Sequence, residues 1–144
     1  MATAPAVNGQ VIGMAHYATR AVAERLLPQG TTFNQALALN AAEAAGGTIG
    51  RGPLIERLTG AVKLGLTAAE ATVGALTSAG LLEERPGGLL ALSPAGDALV
   101  QSYKAGVAGI AAVLYGDLPA EDLAAAGRVL TEVTARANAM PAAG

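Results

Sequence analysis

The chain has 144 residues, enough for one compact domain with a real core. Hydrophobic residues make up 52%, aromatics only 3% and charged residues 14%. The core is therefore built from Ala, Leu, Val and Ile, and the low charge points to surface hidden in a partner, most simply a second copy. A net charge of −2 argues against broad nucleic-acid affinity while leaving room for a local basic patch, and the absence of cysteine excludes disulfides, thiol nucleophiles and zinc–thiolate sites.

Residues 1–9 read as a flexible arm, without the basic start and apolar run of a signal peptide. Over 10–27, Val11, Met14, Ala15, Ala18, Val22 and Leu26 recur at three- and four-residue steps, forming one apolar helix face. His16, Arg20 and Glu24 share another face, and Pro28 and Gly30 stop the helix. Thr32 and Gln35 have capping-box spacing at the head of a second helix that runs to about Ala45. The glycines of 46–47, 50 and 52 read as loops. Pro53 opens a third helix with Leu54, Ile55, Leu58 and Val62 turned inward, closed by Gly65.

Thr67 and Glu70 repeat the capping-box spacing before a fourth helix, whose Val73 and Leu76 face inward and which Gly80 ends. Two short strands, 81–85 and 89–92, flank the turn Pro86-Gly87-Gly88 and predict a hairpin. Ser93 followed by Pro94 is an N-cap with proline in the first turn. The helix it starts continues through Tyr103 towards Leu114. A last helix spans about 119–139, with Leu123, Val129, Leu130 and Val133 as its stripe. The longest apolar run, 105–115, falls short of the ~18 residues of a membrane span. A soluble cytoplasmic protein with no membrane partner is expected. The pattern is mainly α: a winged helix-turn-helix with a two-stranded wing.

With Leu66-Thr67, Thr72-Val73, Leu76, Gly80-Leu81 and the run Leu92-Ser93-Pro94-Ala95-Gly96-Asp97-Ala98-Leu99 in that order, the chain resembles the MarR family of bacterial winged-helix regulators. Leu118-Pro119-Ala120-Glu121-Asp122-Leu123 also looks like the start of that family's last helix. The likeness covers about 10–139. It implies a homodimer built through the helices at 10–30 and 100–144, a winged-helix lobe at 31–99, a palindromic operator and a small-molecule pocket. The chain departs from the family in two places. The outward positions of the fourth helix (Ala68, Ala69, Ala71, Gly74, Ala75, Thr77, Ser78) lack the usual long polar side chains. The wing is short, with neither the family's Asp-x-Arg motif nor an arginine beyond its tip.

For the DNA reading, Arg51, Arg57, Lys63 and Arg85 are the cations available for phosphates. Direct base readout normally uses bidentate Arg, Lys, Asn or Gln. The fourth helix offers only Thr67, Thr72, Thr77 and Ser78, with alanine methyls for thymine, so binding to double-stranded DNA is expected to be weak or unusual. Candidate ligand-binding residues are His16, Tyr17 and Arg20 on the first helix, Asn34 and Asn40 on the second, and Tyr103 on the fifth. If buried, the last three need partners, which an apolar or aromatic small molecule would supply, as would bonds between helices. A lone histidine and sequence-adjacent acids supply no metal set, no haem motif is present and no cofactor is expected. No catalytic triad, phosphate loop or nucleophile elbow is legible, so an enzyme is not the first expectation. Two functions follow. One is a ligand-responsive regulator binding DNA as a homodimer. The other is a repurposed winged helix that binds or converts a small apolar molecule without DNA, with His16 as acid or base beside Tyr17 or Arg20.

Overall fold

The computed structural model describes residues 5–141, so part of the expected N-terminal arm lies outside the described residues. Among the described residues the order is α1 (Gly9–Glu24), α2 (Phe33–Ala44), β1 (Thr48–Gly50), α3 (Arg51–Gly60), α4 (Leu66–Ser78), β2 (Leu82–Arg85), β3 (Leu89–Leu92), α5 (Pro94–Tyr115) and α6 (Ala120–Ala139). The chain divides into two compact units, Met1–Ala108 and Gly109–Gly144, with the boundary inside α5.

Local chemistry sets most of the helix ends. The Val11 N–H donates to Asn8 Oδ1 at 2.9 Å, so the expected arm already ends in a helix cap. Both bonds of the α2 capping box form, Gln35 N–H to Thr32 Oγ1 at 3.1 Å and Thr32 N–H to Gln35 Oε1 at 3.2 Å. Gly80 ends α4 at φ 74°, a left-handed conformation that costs a residue with a Cβ. There the Gly80 N–H donates to the Thr77 carbonyl and the Leu81 N–H to the Leu76 carbonyl, the paired bonds of a Schellman stop.

Thirteen residues later the chain returns to that stop. Ser93, only 4% exposed, donates its hydroxyl to the Gly80 carbonyl at 2.6 Å and accepts the Gly96 N–H at 2.9 Å. One side chain thus caps α5 and ties it to the end of α4. Gly96 is required here, because a Cβ would overlap the Leu81 carbonyl oxygen.

Three expectations need correction. Residues 48–50, expected as loop, form strand β1, which pairs antiparallel with β3 through Thr48–Ala91, Ile49–Leu90 and Gly50–Leu89. The hairpin is therefore the edge of a three-stranded sheet ordered β1-β3-β2, and α3 starts at Arg51 rather than Pro53. Thr67 does not cap α4. The N-cap is Gly65, without a side-chain bond, and Thr67 is already one residue inside the helix. Gly65 consequently opens α4 instead of closing α3, which ends at Gly60. Finally, α5 runs from Pro94 to Tyr115 as expected, but the apolar stretch at 105–115, too short for a membrane span, is only its second half. The full 22 residues are long and apolar enough to cross a membrane by length and composition, but Gly96, Val100 and Tyr103 of the first half are buried within the lobe.

Leu39, Leu54, Leu58, Val73, Leu76, Leu82, Leu90 and Val100 are the large fully buried side chains, each worth about 1.5–3 kcal/mol of burial. Ala38, Ala42 and Ala69 fill the remaining space between α2, α3 and α4. The expected α1 face contributes no buried residue, and Met14 is 64% exposed. The α6 stripe is likewise open: Leu123, Val129, Leu130 and Val133 are each about two-fifths exposed.

Candidate DNA-reading face and ligand cluster

Helix α4 buries Val73, Leu76 and also Ala69, which was expected to face outward and instead packs into the core, and it turns Thr67, Ala68, Glu70, Ala71, Ala75 and Ser78 to solvent. The hydroxyl protons of two candidate readers are committed within the helix. Thr72 donates to the Ala68 carbonyl at 2.8 Å and Thr77 to the Gly74 carbonyl at 2.9 Å. What remains for a base edge is methyl groups and acceptor lone pairs, together with Thr67 and Ser78.

The four candidate phosphate contacts are all exposed. Arg51 begins α3, Arg57 lies in its last turn, and Lys63 sits in the α3–α4 connection with a left-handed backbone at φ 65°. Arg85 ends β2, where its Nη2 bonds Glu83 Oε2 at 2.9 Å. Over residues 31–99, these four cations stand against six carboxylates, Glu43, Glu56, Glu70, Glu83, Glu84 and Asp97, so the lobe carries a net charge of −2. Any attraction for a polyanion must then come from where the cations stand, against the net charge.

In the second group, Arg20, Glu24 and Phe33 come together from α1 and α2, with Tyr103 of α5 close enough to feel the Glu24 charge. Arg20 bonds Glu24 at 2.8 Å and lies over the Phe33 ring, its guanidinium carbon 4.6 Å from the centroid. Tyr103 is 7% exposed, and its hydroxyl pKa is raised above the ordinary 10.0 by burial first and by the Glu24 carboxylate second. On the same helix as Phe33, Asn40 holds a buried Oδ1 with no hydrogen-bond partner among the described residues. Asn34 is half-buried on α2. His16 and Tyr17 are exposed on α1, their rings edge-to-face at 5.5 Å.

None of the known family models matches the sequence, and no curated protein matches it. Solved structures do match. The chain is similar to a MarR family transcriptional regulator from Streptomyces coelicolor, with TM-score 0.72, 20% identity, and 92% of this chain and 94% of that one covered. Reduced MarR from E. coli superposes with TM-score 0.68 at 22% identity, over 90% of this chain and 95% of that one. A MarR variant from E. coli in complex with operator DNA gives TM-score 0.71 at 22% identity, covering 87% of this chain and 91% of that one. The fold is that of the MarR family.

Within this MarR fold, the sequence-predicted residues separate into two regions. Arg51 and Arg85 meet beside the wing, where with Glu84, Gly88, Leu89 and Leu90 they line one cleft. Arg57 and Lys63 stand apart from that cleft. Arg20 and Tyr103 are joined through Glu24, while His16 and Tyr17 stay on the open surface of α1. Sequence reasoning passed over Phe33 and read Glu83 only as a surface acid beside Glu84. Phe33 is the chain's only phenylalanine, directly after the Thr32 cap, and its rarity was the available signal. Glu83 is two residues from Arg85 on a predicted strand, and that spacing puts both side chains on one side.

Proposed function

We propose that this chain is a transcriptional regulator that binds double-stranded DNA as a homodimer in the cytoplasm and responds to a small apolar or aromatic ligand. The observation that carries the reading is the uncovered helix-turn-helix, with α4 open along its outer side and the cations Arg51 and Arg85 lining a cleft at the wing. The MarR-type fold, found in a neighbour complexed with operator DNA, supports it. Arg51, Arg57, Lys63 and Arg85 would contact phosphates, and Thr67, Thr72, Thr77 and Ser78 the base edges.

Exposed apolar surface supports the dimer. Leu118, Leu123, Val129, Leu130, Val133 and Met140 all lie open in the single chain, more than an isolated subunit normally leaves to water. The ligand reading rests on Arg20, Asn40 and Tyr103. The buried Asn40 oxygen lacks a partner, and the Arg20 guanidinium offers donors beside an aromatic ring. DNA binding of another fold neighbour, BpsR of Bordetella bronchiseptica, is regulated by 6-hydroxynicotinic acid, an aromatic ligand. His16, Tyr17 and Asn34 would form the outer part of such a site. Ligand bound there would favour a spacing of the two reading heads that mismatches the operator.

Binding of the purified protein to its own upstream region, against a scrambled duplex at several salt concentrations, tests the reading. Specific and salt-sensitive binding supports regulation. Absence of binding at low salt rejects it and favours the second reading, a winged helix that binds or converts a small molecule without DNA. The net negative charge of the lobe is the observation on that side.

A further inference from the structure

The wing holds one cation, Arg85, and that cation is already occupied. On β2, Glu83 and Arg85 are two residues apart and share one side of the strand, opposite Ala91 and Leu89 of β3. Neither cross-strand neighbour offers a polar group, so the Glu83 carboxylate is the partner that Arg85 finds, at 2.9 Å. Both side chains remain about half exposed, which leaves the pair open to exchange. Arg51 stands across the cleft, of about 310 Å³, that Arg85 also lines. Its backbone N–H bonds the Gly88 carbonyl at 2.8 Å, pinning the start of α3 to the wing turn. Among the described residues Arg51 makes no ion pair.

We infer that Glu83 is an internal competitor for the DNA backbone: a phosphate oxygen reaches Arg85 only by displacing the Glu83 carboxylate, while Arg51 across the cleft is available from the start. A carboxylate and a phosphate present the same oxyanion chemistry to a guanidinium. The wing contact is therefore an exchange of one oxyanion for another, with a smaller net gain than a free arginine would give. This inference rests on the regulator reading and assigns to Glu83 the role of lowering DNA affinity.

An exposed ion pair is worth at most about a five-fold factor in an equilibrium constant. Glu83→Gln is accordingly expected to tighten DNA binding about three-fold. Anisotropy measurements with the upstream duplex and a mixed-sequence duplex, each titrated with salt, read the effect, because phosphate contacts do not depend on sequence. Glu83→Gln should tighten both duplexes and steepen the salt dependence. Arg85→Ala should weaken both, and adding Glu83→Gln to Arg85→Ala should change little more.

If Glu83→Gln leaves the affinity of a DNA-binding wild type unchanged, the inference fails and the regulator reading stands. Equal tightening in the Arg85→Ala background also overturns it, since the effect would then be general charge and not release of Arg85. Failure of every variant to bind either duplex rejects the regulator reading, and the inference with it.

Discussion

Ser93 is the side chain on which the joint between α4 and α5 depends, and Ser93→Ala measures that dependence. The substitution removes the α5 N-cap, a loss of about 1 kcal/mol in most helices. That cap is the bond from the Gly96 N–H, here a buried donor left without its acceptor, and the Gly80 carbonyl separately loses the hydroxyl that reaches it at 2.6 Å. A buried donor left unpaired costs about 1–3 kcal/mol, whereas the Gly80 carbonyl lies on an exposed residue that water partly satisfies. Together these give a loss of about 2–3 kcal/mol. With a urea m-value of about 1–3 kcal/mol per molar, the unfolding midpoint should fall by about 1–2 M at fixed protein concentration. Ser93→Thr, which keeps the hydroxyl, should recover much of the loss. A midpoint shift below about 0.3 M with unchanged m-value would refute the argument, because neither the cap nor the tie to Gly80 would then be stabilising the lobe.

Gly96→Ala should destabilise more than Ser93→Ala in the same urea experiment, since the new Cβ meets backbone of Leu81 that cannot rotate away. Gly106→Ala meets only the Leu26 side-chain methyls, at 2.8 and 2.9 Å, and should be milder. Tyr103 should ionise above 10.0 in an ultraviolet titration, and Glu24→Gln should bring it part of the way back. Because the folded state holds that phenolic proton more tightly, the contribution is complete below the unfolded tyrosine pKa and is lost as pH rises through the folded value. Unfolding followed from neutral to strongly alkaline pH should show that fall, smaller in Glu24→Gln. Asn40→Leu removes an unpartnered buried oxygen and should raise stability by about 1 kcal/mol by thermal or urea unfolding, while weakening any ligand that bonds there. Val133→Asp places a charge in the open α6 stripe and should shift sedimentation from dimer towards monomer; an unchanged dimer would place the subunit contact elsewhere.

Where a signal lies within a few residues, the sequence shows it. The Thr32–Gln35 box, the Gly80 stop, the hairpin turn and the Ser93 cap are all contacts across three or four positions, and each forms. The same reasoning misplaced Thr67, because Thr67-x-x-Glu70 has the right spacing while Gly65 takes the cap one residue before the helix begins. Spacing alone does not say which residue is the first to leave the helical conformation. The Arg20–Glu24 pair was legible as an i, i+4 contact, and its placement over Phe33 was not.

By itself, then, the sequence determined the Thr32 and Ser93 caps, the Gly80 stop, the hairpin, an aliphatic core without cysteine, and the scarcity of base-reading side chains on α4. Tertiary structure decided the rest. Strand β1 has three residues and no alternation to announce it, and it exists because β3, some forty residues away, supplies its hydrogen bonds. The burial of the Asn40 oxygen and of Tyr103, with its raised pKa, depends on helices distant in the chain closing over them. Whether the wing arginine is free or engaged depended on which rotamers bring Arg85 and Glu83 together on a strand whose opposite neighbours are apolar. Caps and turns are settled by nearest neighbours along the chain. Burial, strand pairing and the state of a surface charge are settled by what folding brings alongside.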